Sequence, residues 1–459
     1  MKRAWLAVLL LAAGTRAQQP ALRVPCERFV LPNGLNVILH EDHTTPIVSV
    51  NVWYHVGSAS EKPGRTGFAH LFEHLMFEGS KNVPEGAFDE WLEAAGGNNN
   101  GSTTPDRTNY FEVVPTSALE LALFLESDRM GFLLEAMSPA KVDGQRDVVK
   151  NERRQSYENR PYGLAFPTLD ENLYAPDHPY HWPTIGYMPD LSAASYEDVV
   201  EFFQKYYTPA NASLVIAGDI TPREVRALVE KWFSDVQGRA KAPPPTVPPA
   251  RLLNEEKRLL MEDRVQLPRL YLAWLSPPLF APGDAELDLV ASILAGGKNS
   301  RLYRRLVYEL QIAQDVTAFQ NSGGLSSSFI IITTARSGHA LAELEKVVQE
   351  EIDRLKAEAP QRREVERAVN QYEAGFLGSL ELVSRKADML NSYFMHTGNP
   401  DYFNEDLARY RALAPEDLSS AAMTWLRDDA RVILSVVPVG KPGLGAGGRP
   451  VNAAADKSN

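Results

Sequence analysis

Two histidines and a glutamate stand close together in the first quarter of the chain. His70 and His74 are four positions apart, and Glu73 directly precedes the second histidine. On an α-helix, residues i and i+4 lie on the same face, so both imidazoles can bind one ion. Glu73, at i+3 from His70, shares that face. The spacing therefore predicts a helix that offers two zinc ligands with a carboxylate beside them.

The order H-x-x-E-H is the mirrored form of the H-E-x-x-H zinc-protease pattern. In the mirrored form the carboxylate still lies beside the metal-bound water and can take its proton for attack on a peptide carbonyl. Burying two imidazoles and a carboxylate is costly unless an ion satisfies them. The motif favours metal-assisted peptide hydrolysis, and the alternative is a pair of core or surface histidines without a metal.

A third ligand must come from elsewhere, because catalytic zinc usually takes three protein side chains and keeps one position open for water. Several glutamates follow the motif in the same half of the chain, and sequence spacing does not choose among them. These are Glu112, Glu120, Glu126, Glu135, Glu152 and Glu158.

The elements around the motif indicate a mixed α+β order. Asn33-Gly34 between two apolar runs is a strong signal for a tight hairpin, and strict alternation over 48–56 predicts a strand with one buried face. Thr66 is predicted to cap the helix that carries the histidines. Helices are predicted over 67–77, 88–95, 118–130, 140–157, 196–206 and 222–233, with a buried strand at 213–217.

A proline-rich stretch over 239–250 divides the chain, because consecutive prolines form neither helix nor central strand and act as a semi-rigid spacer. The order of elements then repeats loosely and closes on a strand at 432–436 that matches the run at 213–217. The sequence predicts two similar α+β halves, each a mixed or antiparallel sheet with helices on one face. They span 27–238 and 251–439, followed by a disordered tail over 440–459.

The N-terminus has the form of an export signal. Lys2 and Arg3 precede an apolar run over 4–13, and small residues allow cleavage after Ala17. The apolar run is too short to cross a bilayer. We therefore expect a signal peptide over 1–17, a periplasmic or secreted bacterial protein, and no integral membrane segment after cleavage.

The composition excludes several classes of function. With 47 basic against 59 acidic residues and a net charge of −12, the chain lacks the basic surface of a general nucleic-acid binder. Cys26 is the single cysteine, which excludes an intrachain disulfide and cysteine-based zinc clusters.

The motif and its surroundings resemble the insulysin and pitrilysin family of inverted-motif zinc peptidases, near the branch of mitochondrial processing peptidase β-type subunits and bacterial periplasmic relatives. The resemblance is carried by 67–80 (GFAHLFEHLMFEGS), 148–154 (VVKNERR) and 160–163 (RPYG). It implies paired α+β halves over nearly the whole mature chain. It also implies an enclosed cavity that favours peptides and unstructured segments over folded proteins.

The family's third zinc ligand is a glutamate at a fixed distance beyond the second histidine. Glu152 falls there, 78 positions after His74. By this resemblance, His70, His74 and Glu152 hold one Zn²⁺ per chain and Glu73 is the general base.

The segment 96–103, rich in glycine and asparagine, resembles the family's edge strand, which pairs with an extended substrate. Asn100 is the candidate substrate-binding residue there. The alternative is an ordinary turn of the same composition.

Three departures from the family pattern concern the support of the site. Gln145 replaces a second glutamate, Val307 and Gln314 stand where relatives carry an arginine and a tyrosine, and 300–306 takes the place of the zinc helix without histidine or glutamate. The missing arginine and tyrosine suggest a catalytic subunit of a homo- or heterodimer whose non-zinc homologous partner supplies the missing donors. The alternative is a non-catalytic structural or binding subunit that keeps the fold.

Overall fold

The computed structural model describes residues 22–244 and 247–451. The predicted signal peptide over 1–17 lies outside these residues. Within the two described ranges, no helix combines the length and the apolar character that crossing a bilayer requires.

The first half is built on a six-stranded sheet with the order β1-β2-β6-β3-β5-β4. Strand β6 runs parallel to β2, and the other neighbours are antiparallel. The predicted hairpin and both predicted strands are confirmed, and β4 lies at the edge. The strands are Glu27–Val30 (β1), Asn36–Glu41 (β2), Ile47–Tyr54 (β3), Asn98–Thr103 (β4), Thr108–Pro115 (β5) and Ala212–Gly218 (β6).

The described part of the first half contains eight α-helices. The six predicted helices are confirmed with small shifts of their ends, and two short ones were not predicted. They are Phe68–Leu75 (α1), Ala87–Ala94 (α2), Leu119–Ala136 (α3), Pro139–Arg153 (α4), Ala165–Leu173 (α5), Met188–Ala193 (α6), Tyr196–Tyr206 (α7) and Pro222–Phe233 (α8).

The second half forms another six-stranded sheet, with the order β12-β7-β11-β8-β10-β9. Its strands are Lys257–Asp263 (β7), Arg269–Ser276 (β8), Ala313–Asn321 (β9), Ser327–Ala335 (β10), Val432–Pro438 (β11) and Arg449–Pro450 (β12). Its helices are Asp284–Ala295 (α9), Leu341–Ala357 (α10), Arg362–Ser379 (α11), Val383–Thr397 (α12), Phe403–Arg411 (α13) and Pro415–Trp425 (α14).

The two sheets repeat one topology. In each, five strands follow the same spatial order, β2-β6-β3-β5-β4 in the first half and β7-β11-β8-β10-β9 in the second. The last of these strands in the chain, β6 or β11, lies parallel to β2 or β7 on one side. On its other side it lies antiparallel to β3 or β8. The predicted fold class, two similar α+β halves, is confirmed.

The counterpart of the histidine helix is α9 and not the segment 300–306, so that sequence assignment is wrong. Helix α1 follows β3 and packs against β4 and α4, and α9 follows β8 and packs against the equivalent β9 and α11. The segment 300–306 runs into the turns of Tyr303–Glu309, which follow α9 as α2 follows α1. Matching by sequence placed the repeat one helix too late.

Each sheet is covered on its second face by a helix from the other half. Helix α5 packs on β8 and β11, where Leu169 joins the cluster around Leu434. Helix α12 packs on β3 and β6, where Leu390 joins the cluster around Val215. The halves therefore share their cores and hold one another in place.

The predicted disorder from residue 440 is wrong for 440–451. Residues Arg449–Pro450 pair in parallel with Leu259 and Leu260, and the amide of Val451 donates to the Leu260 carbonyl over 2.8 Å. Backbone hydrogen bonds to an open sheet edge order this segment despite its glycine content. The remainder, 452–459, lies outside the described residues.

Candidate metal centre

Helix α1 buries one face completely and leaves the two histidines on another. Leu71, Phe72 and Leu75 are fully buried in the core of the first half. The side chains of His70 and His74 are 12% and 24% exposed. This division follows from the sequence, because the apolar residues recur at helical spacing and the histidines fall between them.

The start of α1 differs from the prediction. Thr66 does not cap the helix; its hydroxyl donates to Asp190. The buried Glu61 carboxylate instead accepts from the amides of Gly67 (3.0 Å) and Ala69 (2.8 Å). A carboxylate satisfies the free amides of a helix N-terminus better than a hydroxyl does. Burial raises the pKa of Glu61 to about 8 despite these hydrogen bonds.

Glu152 reaches the histidines because α4 packs across α1. Its Oε2 lies 3.2 Å from His74 Nε2 and its Oε1 lies 3.7 Å from His70 Nε2. One ligand atom from each of the three residues lies within 4.8 Å of the others. Among the residues that the structure describes, no other group of histidine, cysteine, aspartate or glutamate is arranged to hold a metal ion.

The other glutamates left open by the sequence are engaged elsewhere, each with a basic side chain. Glu112 and Glu126 contact Arg129, Glu120 contacts Lys231, Glu135 contacts Lys81 and Glu158 contacts Arg153.

The three residues fit a zinc ion. Burial lowers the pKa of His70 to about 4, so its imidazole is neutral at pH 7 and has a lone pair to share. Contact with His74 holds the pKa of Glu152 below its usual range, so this group is an anion. Two imidazoles and one carboxylate are a donor set of catalytic zinc.

Glu73 lies between α1 and the edge strand β4. Its Oε2 accepts a hydrogen bond of 2.6 Å from the Thr103 hydroxyl, and burial raises the pKa of its carboxyl. Gly101 leaves room for it, because a Cβ there would be 3.1 Å from Glu73 Cγ. Sequence reasoning missed Thr103; the signal was the two-residue period that puts 101 and 103 on one face of the strand.

Asn100 lies on the exposed edge strand, as predicted for its segment, but on the face opposite Gly101 and Thr103. Its Oδ1 accepts from the amide of Gly101 over 2.8 Å. The structure does not bring its side chain to Glu73, and its role in substrate binding stays a prediction.

Gln145 supports the chain just beyond α1. Its Nε2 donates to Glu78 Oε1 over 2.5 Å, and Lys141 donates to the Glu78 carbonyl. Burial raises the pKa of Glu78. The side-chain amide of Gln145 is therefore hydrogen-bonded to the carboxyl of Glu78, which follows α1 in the chain.

Val307 and Gln314 add no charged or phenolic group. Val307 packs against the second core, and Gln314 is exposed on β9. At these two positions, therefore, the second half carries neither a cation nor a phenol.

The segment after Glu152 is fastened to the second half. The amide of Tyr162 donates to Asp263 Oδ2 and its hydroxyl donates to the Leu267 carbonyl, both over 2.7 Å. Arg269 lies 3.8 Å above the Tyr162 ring. This contact, which sequence reasoning did not predict, links the position of α4 to the docking of the two halves.

A cavity of about 420 Å³ opens between the halves beside the site. Thr103 and Tyr157 line it on the side of the first half, and Leu279, Gly323 and His396 line it on the side of the second. A cavity of this size accommodates one or a few amino-acid side chains.

Comparisons with known proteins place the chain in a family. A family model described as insulinase (peptidase family M16) matches residues 36–178, and one described as the peptidase M16 inactive domain matches residues 193–372. The zinc protease PqqE of Helicobacter pylori is 28% identical over 437 residues, which cover 94% of this chain and 97% of the relative. A probable mitochondrial-processing peptidase subunit beta of Arabidopsis thaliana is 23% identical and covers 89% of this chain and 78% of its own.

Solved structures agree as well. A protease from Helicobacter pylori superimposes with a TM-score of 0.85 at 27% identity, covering 91% of this chain and 100% of that one. A peptidase M16 inactive domain from Pseudomonas fluorescens gives 0.81 at 18% identity over 93% of this chain and 100% of its own, a likeness of fold. With both halves matched by models of one family and a relative aligned over nearly its full length, this chain belongs to the M16, or insulinase, family of peptidases.

Proposed function

We propose that this chain is a zinc-dependent metalloendopeptidase that hydrolyses peptides or unstructured segments. The observation that carries the proposal is the convergence of His70, His74 and Glu152 from two helices, with Glu73 beside them on the first. Relatives named as zinc proteases support the same reading.

His70, His74 and Glu152 would hold the ion, which when bound supplies a Lewis acid for the peptide carbonyl and an acidified water. Glu73 takes the proton of the attacking water and passes it to the leaving amine. Burial raises the pKa of Glu73, a direction that favours a group that first accepts and then donates a proton. The Thr103 hydroxyl holds one carboxylate oxygen, so the other is free for the water.

An extended peptide can add to the free side of β4, because an edge strand presents unpaired backbone groups. This mode requires an extended backbone, which favours peptides and unstructured segments. Asn100 would bind the peptide on this strand.

The working location and assembly are part of the proposal. The basic, apolar and small-residue pattern of 1–17 supports export to the periplasm or the medium. Val307 and Gln314 cannot stabilise an oxyanion as a cation or phenol would, which supports a dimer with a non-zinc homologous partner or a second copy. Purification of the exported chain as a fully active monomer would contradict the dimer.

The direct test is zinc content and peptide cleavage of the Glu73→Gln variant of residues 18–459, purified without chelator or metal-affinity column. We expect about one zinc per chain in both forms and a loss of cleavage by several orders of magnitude in the variant. Glu135→Gln, on the surface beside Lys81, is the matched control and is expected to cleave normally. Retained activity in Glu73→Gln would remove Glu73 from the role of base. A folded chain that reproducibly binds no zinc would favour the non-catalytic subunit.

A further inference from the structure

The turn that follows the edge strand β4 is tied to the second half of the chain. This turn, residues 104–107, connects β4 to β5 and contains Asp106. Asp106 Oδ2 accepts a hydrogen bond of 2.9 Å from the amide of Gly324, and Asp106 Oδ1 accepts one from the Tyr180 hydroxyl. The same hydroxyl accepts from the amide of Leu325 over 3.1 Å. One carboxylate and one phenol therefore fasten the two halves together at the rim of the cavity.

The segment that Asp106 binds is the equivalent turn of the second half. Residues 322–326 connect β9 to β10, and the repeated topology equates β9 with β4 and β10 with β5. The approach is close, because a Cβ at Gly323 would lie 2.7 Å from the Tyr180 hydroxyl. Burial raises the pKa of Tyr180, so its phenol keeps the proton that it donates to Asp106. The two equivalent turns thus meet in a specific, hydrogen-bonded contact.

A dense set of hydrogen bonds connects Asp106 to the end of β4. The Thr104 amide donates to the Arg107 carbonyl over 2.8 Å, and the amides of Asp106 and Arg107 both donate to the Thr104 hydroxyl over 3.2 Å. The Arg107 guanidinium donates to the Ser102 carbonyl over 2.8 Å. Gly57 packs against the turn, where a Cβ would lie 2.2 Å from the Thr104 carbonyl oxygen. Because these contacts leave the turn little freedom, the position of Asp106 constrains the residues directly before it.

Thr103 is the last residue of β4 and directly precedes this turn. Its hydroxyl is the group that donates to Glu73 Oε2 over 2.6 Å. Strand β4 lies at the edge of the sheet with β5 as its neighbour, so its end is held less firmly than the end of an inner strand. The contact of Asp106 with the second half therefore bears on where the Thr103 hydroxyl lies.

We infer that Asp106 is a positioning residue for Glu73. By binding the turn 322–326, Asp106 holds Thr103 in the place where its hydroxyl orients the Glu73 carboxylate. A displacement of about 1 Å in a reacting group can cost roughly 100-fold in rate, so a contact outside the metal centre can matter to the chemistry. All three candidate zinc ligands come from the first half, and through Asp106 the second half acts on the reaction as well. This inference rests on the proposed function, because it needs Glu73 to be the base.

The first test is kinetic and uses the full exported chain loaded with zinc. Asp106→Ala removes both hydrogen bonds to Tyr180 and Gly324. We expect kcat to fall about 10-fold with KM nearly unchanged and zinc retained, because a displaced base lowers the rate more than it lowers binding. Asp106→Asn keeps one acceptor oxygen and should lose less. Steady-state kinetics on one unstructured peptide and elemental analysis measure these effects, and a change in KM alone would overturn the inference.

Lys386→Met is the matched control. Lys386 on α12 pairs with Asp42 of the first half, which is a contact between the halves that does not involve the β4–β5 turn. This variant should keep the kcat of the unmodified chain. An equal loss of kcat in Lys386→Met and Asp106→Ala would mean that any loosening of the two halves slows cleavage, which would overturn the inference.

A double-mutant cycle decides whether Asp106 acts through Thr103. In the Thr103→Val background the hydroxyl is already absent, so adding Asp106→Ala should lower kcat by less than about twofold more. Losses that multiply would show that the two residues act independently and would overturn the inference. If Asp106→Ala does not fold, Tyr180→Phe takes its place in the cycle, since it removes one of the two contacts with little change of shape.

Hydrogen exchange gives a measurement that does not depend on cleavage. The β5-paired amides of 98–103 should exchange faster in Asp106→Ala than in the unmodified chain and in Lys386→Met, and unchanged exchange would overturn the inference. Faster exchange in a zinc-loaded chain that cleaves no peptide would support the hold of Asp106 on β4 and contradict the peptidase. Cleavage that depends on Glu73 but is the same in Asp106→Ala would overturn the inference and leave the peptidase.

Discussion

Helices α1 and α9 occupy equivalent places in the two halves, and each presents polar residues four positions apart. In α1 these are His70 and His74, and in α9 they are Asp284 and Asp288. Each helix also meets an edge strand through one side chain. Thr103 of β4 contacts Glu73, and Gln320 of β9 contacts Asp288.

The difference lies in how these groups are satisfied. Asp284 accepts from Arg409 over 2.6 Å, and Asp288 accepts from Tyr410 over 2.7 Å and from Gln320 over 3.0 Å. In this second crossing, of α9 with α11 and β9, both carboxylates are thus satisfied by neighbouring donors. In the first crossing, of α1 with α4 and β4, the Glu152 carboxylate lies against two imidazoles and against no lysine or arginine among the described residues. The fold builds this crossing twice, and within the described part of the chain only the first brings together side chains that could hold an ion.

The largest effect is expected from removing the Glu152 carboxylate, where α4 crosses α1. Glu152→Ala should lose zinc, because two imidazoles alone make an incomplete site. In the second crossing, Ser292→Ala removes the equivalent contact between helices, from α9 to Gln371 of α11, and should leave zinc unchanged. Elemental analysis of both variants checks this. Full zinc in Glu152→Ala would show that the third ligand is wrong, and Glu158 would be the next candidate.

The second prediction concerns the ion pair of Arg409 with Asp284 in the second crossing. Arg409→Met leaves the buried Asp284 without its cation, which should lower the free energy of unfolding by about 3–5 kcal/mol without loss of zinc affinity. Denaturant unfolding followed by circular dichroism measures it. Arg427→Met, which removes an exposed pair with Asp429, is the control and should lower the free energy of unfolding far less than Arg409→Met does, because water screens an exposed pair. Equal effects of the two variants would mean that the second crossing is not held by its charges.

The third prediction compares one buried acid from each region by its pH dependence. The folded-state pKa is raised to about 8 for Glu61 and to about 6 for Asp288, so the folded protein binds these protons more tightly than the unfolded chain. Their contribution to stability is therefore present at low pH and falls as pH rises, until about 8 for Glu61 and about 6 for Asp288.

Glu61→Gln should remove a fall of roughly 3 kcal/mol between pH 5 and pH 8, and Asp288→Asn a smaller fall that ends near pH 6. Unfolding free energies at a series of pH values in both variants and in the unmodified chain give the slopes. An unchanged slope between pH 6 and pH 8 in Glu61→Gln would mean that this carboxyl is ionised in the folded protein.

The smallest expected effect concerns the contacts from the edge strands. Thr103→Val removes the hydroxyl that holds Glu73 and should lower kcat/KM by about 10-fold with zinc retained. Gln320→Met removes the equivalent contact on β9 and should not change cleavage. Steady-state kinetics on one peptide decides between them, and an equal loss in both variants would point to a structural effect.

Local periodicity was enough to predict most strands and helices and the shared face of His70, Glu73 and His74, because those relations extend over a few residues. It did not choose Glu152 from six glutamates, a choice that came from the family resemblance. The cap of α1 by Glu61 and the contact of Thr103 with Glu73 were missed, since both join residues from different elements.

By itself, the sequence determined the repeated α+β order and the helix that places both histidines on one face, because helical and strand periods are visible in neighbouring side chains. Only the tertiary structure decided that α4 crosses α1, that α9 is the counterpart of α1, and that residues 440–451 complete the second sheet. These outcomes depend on which surfaces pack together over long sequence separations, and no local pattern encodes that choice.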